Sequence, residues 1–201
     1  MTKITQLSQL DLSASYSYAD YLTWQLNEAI ELIKGKISMM APAPNVRHQK
    51  ISIFLSSHLF YFFENKPCQV FSAPFDVRLY DRSKSLLAAQ EISTVVQPDI
   101  CVICDESKLD EQGCNGAPDW IVEILSKGNT KKEVKIKHAL YADAGVKEYW
   151  LIFPYEEVVQ QFVLQEDGQY RLRTSFADDD LAISHLFPDL KIDLTELFKD
   201  N

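Results

Sequence analysis

The chain has 201 residues, 46% of them hydrophobic, with a formal net charge of -9 and a pI of about 4.9. That size and apolar content suit one domain with a substantial core, expected over residues 1–201, while the acidic balance excludes a globally basic nucleic-acid-coating surface and leaves only a locally basic cleft for phosphate contacts. No apolar run approaches the roughly 20 residues that a membrane span needs, and Met1-Thr2-Lys3-Ile4-Thr5-Gln6 lacks a signal-peptide core, so a soluble cytoplasmic protein is expected.

Residues 18–33 have helical spacing, with Tyr21, Leu22, Leu26, Ala29, Ile30 and Ile33 as the apolar set and Ser17 as N-cap, which predicts an N-terminal helix. Residues 31–37 read as a helix exit or as a strand entering a tight turn at Gly35, before a short strand over 37–40 that Ala41-Pro42-Ala43-Pro44 stops. A longer helix over 46–64 has Asn45 as its cap and Ile51, Phe54, Leu55, His58, Leu59 and Phe62 as its stripe, which makes His58 a core histidine. Strands over 69–71 and 75–80 are broken at Pro74, and residues 81–91 are polar and loop-like. Two apolar strands follow, 95–103 and 120–125, joined by a loop over 105–118. A helix over 130–144 ends at Gly145, a strand covers 146–153, and a hairpin of 158–165 with 170–174 turns about Asp167-Gly168. The tail over 183–198 is mixed, with a last helical turn. This order fits an α/β domain with a mixed central sheet flanked by helices.

The four cysteines are Cys68, Cys101, Cys104 and Cys114. Cys101 and Cys104 form a C-x-x-C, but both fall in a strand, where residues three apart point to opposite faces, and no second C-x-x-C completes a zinc centre. Buried, reduced thiols are expected.

The chemistry concentrates on two carboxylates inside apolar runs. Asp99 lies in Val95-Val96-Gln97-Pro98-Asp99-Ile100-Cys101-Val102-Ile103, and Glu123 in Trp120-Ile121-Val122-Glu123-Ile124-Leu125. A charge in such a run costs several kcal/mol unless it is paired, hydrogen-bonded or metal-bound. Two acids on adjacent strands can hold Mg²⁺ or Mn²⁺, with waters and a substrate phosphate completing the octahedron. The alternative is that each pairs with a buried Lys or Arg. Pro98 removes a ladder donor and so predicts a bulge or strand edge at Asp99. Past Glu123 come Lys127, Lys131, Lys132, Lys135 and Lys137, and a lysine run is usually a solvated helix face. Lys137 differs, because it shares the apolar stripe of Val134 and Tyr141 and must snorkel or reach a carboxylate, with Glu123 or a phosphate as favoured partner. His48 reads as a helix-start histidine making a local hydrogen bond.

Pro98-Asp99, then Gly116-Ala117-Pro118-Asp119-Trp120-Ile121-Val122-Glu123-Ile124-Leu125-Ser126, then Lys137-x-x-x-Tyr141, then Ala144-Gly145-Val146-Lys147-Glu148-Tyr149-Trp150 together resemble the Uma-two family, whose members are described as restriction endonucleases of the PD-(D/E)xK nuclease fold. Glu31-Leu32-Ile33-x-Gly35-x-Ile37 and Ala41-Pro42-x-Pro44-x-x-Arg47-His48 match the opening segment of that family, and the resemblance covers roughly residues 18–172. It implies a restriction-endonuclease-like αβββαβ core over about 46–153, made from the 46–64 helix, strands around Phe75, Asp99 and Glu123, the 130–144 helix and the 146–153 strand, with the N-terminal helix and C-terminal hairpin added. It also implies metal ligation by Asp99, Glu123 and the Ile124 carbonyl. Leu125 stands where the parent motif has its lysine, and Lys137 is the matching replacement. Glu31 and His48 match the remaining charged positions near the site. Ser126-Lys127-Gly128-Asn129-Thr130 departs from the usual Ser-Pro-Ser-Thr, and Glu133 and Lys34 stand where Asp is usual. The expected activity is Mg²⁺-dependent hydrolysis of DNA phosphodiesters, with homodimerisation as a route to cutting two strands. The competing expectation is a catalytically idle binding or assembly module.

Overall fold

The computed structural model describes residues 3–40, 45–80 and 89–199. In chain order its elements are α1 (Tyr18–Tyr21), β1 (Ile30–Ile33), β2 (Lys36–Met39), α2 (Val46–Phe63), β3 (Gln69–Ser72), β4 (Val77–Leu79), β5 (Thr94–Val96), β6 (Ile100–Ile103), β7 (Leu109–Asp110), β8 (Gly113–Asn115), β9 (Trp120–Ile124), α3 (Lys131–Ala144), β10 (Glu148–Phe153), β11 (Val158–Leu164), β12 (Tyr170–Phe176), β13 (Leu181–Ile183), β14 (Lys191–Asp193) and α4 (Leu194–Leu197). The central sheet runs β12-β11-β10-β9-β6-β3, with β9 and β10 parallel and the other neighbours antiparallel. A parallel pair needs a crossover, and α3 supplies it. The succession α2-β3-β6-β9-α3-β10 is the expected αβββαβ core. A second sheet, β2-β1-β5-β4-β8-β7, lies against it, and β13 pairs with β14.

Alternation along the central strands assigns the two faces. Ile100, Val102, Trp120, Val122, Ile124, Trp150 and Ile152 pack against Ile51, Leu55, Leu59 and Phe63 of α2. The intervening Cys101, Ile103, Ile121, Tyr149 and Leu151 pack against Leu140, Tyr141 and Ala144 of α3 and against Val77 and Val96 of the second sheet. Period two therefore turns Glu123 toward the α3 side, while Asp99, just ahead of β6, reaches back to His48 of α2. Thr130 caps α3 through a reciprocal capping box with Glu133, and Gly145 ends it in the left-handed conformation, as expected. No helix among the described residues is long and apolar enough to cross a membrane.

Several expectations need correction. The helix over 18–33 is only the four residues of α1, with Ser17 as its cap, and Ile30–Ile33 is a strand. Ile30 and Leu32 also alternate, and pairing with β2 and with Val95 of β5 lets that period win. Lys34 (φ 50) and Gly35 (φ 79) close the β1–β2 turn, and a Cβ on Gly35 would sit 2.1 Å from Ser15 Oγ. The run over 95–103 is not one strand. It leaves the second sheet after Val96 and enters the central sheet at Ile100, with donor-less Pro98 at the crossing. The first strand of the core is β3, not the segment around Phe75, which precedes β4 of the second sheet. The 105–118 loop contributes β7 and β8 to that sheet. His58 is exposed and stacks on Phe54 at 5.2 Å, because the α2 stripe rotates toward Phe63. Cys101 and Cys114 are buried free thiols, and burial raises both pKa values, but Cys68 and Cys104 form a disulfide. The β3–β6 register pairs Gln69 with Ile103, which brings Cys68 opposite Cys104 one step further out. Ala41–Pro44, and most of the polar loop over 81–91, lie outside the described residues.

Candidate active site

Antiparallel pairing of Ile100 with Val122 places Asp99 across from Glu123 at the end of the β6–β9 ladder. Glu123 is the fourth residue of β9, and its Oε1 accepts from Lys137 Nζ at 3.0 Å and Tyr141 OH at 2.5 Å. One helical turn separates those donors, so a single face of α3 grips one carboxylate oxygen. Lys137 Nζ also lies 2.9 Å from Glu31 Oε1, on β1 of the second sheet. Gln97 donates its backbone N–H to the same Glu31 oxygen at 3.0 Å and its side-chain amide to Asp76 at 2.8 Å. Lys137 thus ties both sheets together.

Asp99 sits where the chain changes sheet. Its Oδ2 accepts from the Ile124 backbone N–H at 2.7 Å, and its Oδ1 lies 3.3 Å from His48 Nε2, in the first turn of α2. The His48 backbone N–H is held by Asn45 Oδ1 at 3.0 Å, the N-cap of α2, whereas its imidazole makes the long-range contact with Asp99 and not a local one. All five predicted residues therefore line one pocket of about 150 Å³, together with Ile124. Their side chains are largely withdrawn from water: Glu31 6% exposed, His48 8%, Glu123 12%, Lys137 20% and Asp99 21%.

The electrostatics follow from two acids sharing the Lys137 ammonium and a third, Asp99, paired with His48. Burial raises the Glu123 pKa; Lys137 opposes this, and the charges of Asp99 and Glu31 reinforce it. Burial works against the Lys137 charge, but Glu123 and Glu31 outweigh it and raise the pKa. His48 is likewise raised: burial lowers it, and the hydrogen bond and charge of Asp99 win. Tyr141 is pushed far up, first by burial and then by the two glutamates, so it stays a donor. A carboxyl with a raised folded-state pKa contributes stability below its unfolded value and loses it as pH rises. Glu123→Gln, which cannot ionise, is expected to gain stability over the unsubstituted chain as pH climbs above the ordinary carboxylate value of 4.5. Urea denaturation in chelator across that range measures the gap, and a gap that stays flat with pH counts against the shift.

Among the described residues, no group of three or more His, Cys, Asp or Glu has the geometry of a metal cage. Mg²⁺ needs no such cage, because one or two carboxylates with waters and a phosphate suffice. Asp99, Glu123 and the Ile124 carbonyl are hard oxygen donors, and a site with more acid than base suits a divalent cation. The residues present fit that group.

Tyr141 and Gln97 were not foreseen as site residues. Tyr141 had a signal, since it stands four residues after Lys137 on the same stripe. Gln97 had none, because its link to Glu31 is a backbone N–H.

The family model Uma2, described as "Putative restriction endonuclease", matches residues 18–195. A search of curated proteins found no match. Among solved structures the chain is similar to one described as a "putative nuclease belonging to DUF820" from Anabaena variabilis, with 23% identity, a TM-score of 0.69, and coverage of 91% of this chain and 97% of that one. At that identity the likeness shows a shared fold, and it agrees with the αβββαβ core. With the family match spanning most of its length and both halves of the site, the chain belongs to the Uma2 family.

Proposed function

We propose that this protein is a Mg²⁺- or Mn²⁺-dependent endonuclease that hydrolyses DNA phosphodiesters. The supporting observation is that Glu31 and Glu123 share the ammonium of Lys137 at a pocket that Asp99, held by His48 and the Ile124 N–H, also lines. A divalent ion held by Asp99, Glu123 and the Ile124 carbonyl would, when bound, polarise the phosphate and lower the pKa of a water.

The chain's own groups do the rest. Lys137 has three donors, and its two carboxylate partners leave one for the attacking water or for a non-bridging oxygen of the pentavalent phosphate. Tyr141 and Lys137 hold Glu123 by Oε1 and so fix the direction of Oε2. His48 orients Asp99, and Glu31 holds Lys137 from the far side as an outer acid.

A metal-by-substrate screen over single- and double-stranded DNA and RNA tests this, with Glu123→Ala as control. Cleavage of DNA that needs Mg²⁺ or Mn²⁺ and vanishes in the control is the expected result, and full activity in the control removes the mechanism. The second reading, an idle binding module, draws on the engagement of both Asp99 oxygens by His48 and Ile124. Calorimetry that finds no Mn²⁺ binding at millimolar concentration would favour it.

A further inference from the structure

A lysine-lined groove runs beside the pocket. It has a volume of about 660 Å³, and Lys34, Lys131, Lys132 and Lys135 stand over a floor of Ile33, Ile136, Ala139 and Leu140. The lysines come from two elements far apart in sequence: Lys34 from the β1–β2 turn, the others from the first half of α3. All four are exposed, and none takes part in a salt bridge among the described residues. Lys127 is not part of the groove, since its ammonium lies over the Tyr155 ring at 4.5 Å.

Three features make this more than a solvated helix face. The chain carries a net charge of -9, so four unpaired lysines around one depression form a strong local departure from its mean field. Lys131 and Lys132 stand in the first turn of α3, where the macrodipole disfavours cations, and only Glu133 offsets them there. The groove also shares two elements with the site: β1 carries Glu31 against Lys137, and roughly 10 Å further along the chain reaches Lys34. β1 and α3 therefore each give residues to both places, Glu31 and Lys137 to the acids and Ile33 with Lys131, Lys132 and Lys135 to the groove.

We propose that this groove binds the sugar–phosphate backbone of duplex DNA beside the bond held in the pocket, an assignment that rests on the phosphodiesterase reading above. Lysine is a compact point charge suited to phosphate contact without bidentate reading of base edges. The floor is aliphatic, with no ring on which an unpaired base could stack, which favours a duplex over a single strand. Binding through this surface is independent of base sequence and strongly dependent on salt.

The test is a titration of duplex DNA, in chelator and over a salt series, with the unsubstituted chain and with Lys131→Ala, Lys132→Ala and Lys135→Ala combined. These surface changes to a good helix former preserve the fold, which circular dichroism checks. The triple variant is expected to bind at least about 10-fold more weakly, with the slope of log affinity against log salt reduced by about 2 to 3. Equal affinity and slope in the two proteins overturn the groove, as does an unsubstituted chain that binds no duplex. Tighter binding of a single strand than of a duplex, with the same lysine dependence, overturns the duplex assignment. Failure of the active-site reading looks different: a chain that binds duplex through the groove but cuts nothing with any divalent metal leaves the groove standing and removes the hydrolysis.

Discussion

Glu123→Ala is expected to remove Mg²⁺-dependent cleavage of DNA, by about 1,000-fold or more, while leaving the protein folded. Removing one acid from a cluster that holds three relieves repulsion, and Lys137 keeps Glu31 as its partner. Tyr141 loses its acceptor, and that cost offsets the relief, so the net change in stability should stay within about 1 kcal/mol. Lys137→Met should behave differently. It strands Glu31 and Glu123 without a cation in surroundings only 6% and 12% exposed, which should cost about 3 kcal/mol at neutral pH as well as about 100-fold in rate. Denaturant melts beside cleavage assays separate the two variants. If both lose activity only in proportion to lost fold, the acids are structural, and if Glu123→Ala cleaves normally, Glu123 has no part in the chemistry.

Asp99, Glu123 and Lys137 were legible because each breaks a pattern. The acids interrupt β-branched runs, and the lysine interrupts an apolar helical stripe, so period 2 and period 3.6 alone predict that they face inward. Glu31 was not legible this way. Leu26, Ala29, Ile30 and Ile33 are spaced for a helix while Ile30 and Leu32 alternate for a strand, and the contest is decided by pairing with Val95, more than sixty residues away. Only the family resemblance placed Glu31 and His48 near the site. The second sheet escaped for a related reason: β4, β5, β7 and β8 have two or three residues each, too few to show a period. The Cys68–Cys104 bond depends on the register of β3 against β6, which no local spacing reveals.

The side chain with the greatest expected effect on stability is Glu148, at the start of β10 and fully buried, with no salt-bridge partner among the described residues. Five donors surround it instead. Oε1 accepts from Trp150 Nε1 at 2.6 Å, Gln161 Nε2 at 2.7 Å and the His185 backbone N–H at 3.0 Å. Oε2 accepts from Ser184 Oγ at 3.0 Å and the Leu186 backbone N–H at 2.8 Å. A carboxylate so surrounded offsets its desolvation with charge-assisted hydrogen bonds. Glu148→Ala would leave four of the five donors without that acceptor, Gln161 Nε2 keeping the Ile183 carbonyl at 2.9 Å, at a cost of about 4 kcal/mol, and Glu148→Gln would set an amide N–H against donors, costing about 2 kcal/mol. Ser184→Ala, which removes one donor and leaves the acid held by four, should cost only about 1 kcal/mol. Denaturant midpoints rank the three, and a Glu148→Ala protein within about 1 kcal/mol of the unsubstituted chain would show that the network is redundant. The loss should start locally, with faster hydrogen exchange at His185 and Leu186. Those residues anchor the C-terminal segment whose Leu190, Ile192, Leu194 and Leu197 pack in the same core as Ile51, Leu55 and Leu59 of α2. Because α2 also carries His48 to Asp99, loosening Glu148 should reach the candidate site through that helix, and, if the proposed cleavage holds, a partial fall in it at temperatures where the Glu148→Gln protein is still folded would be its signature.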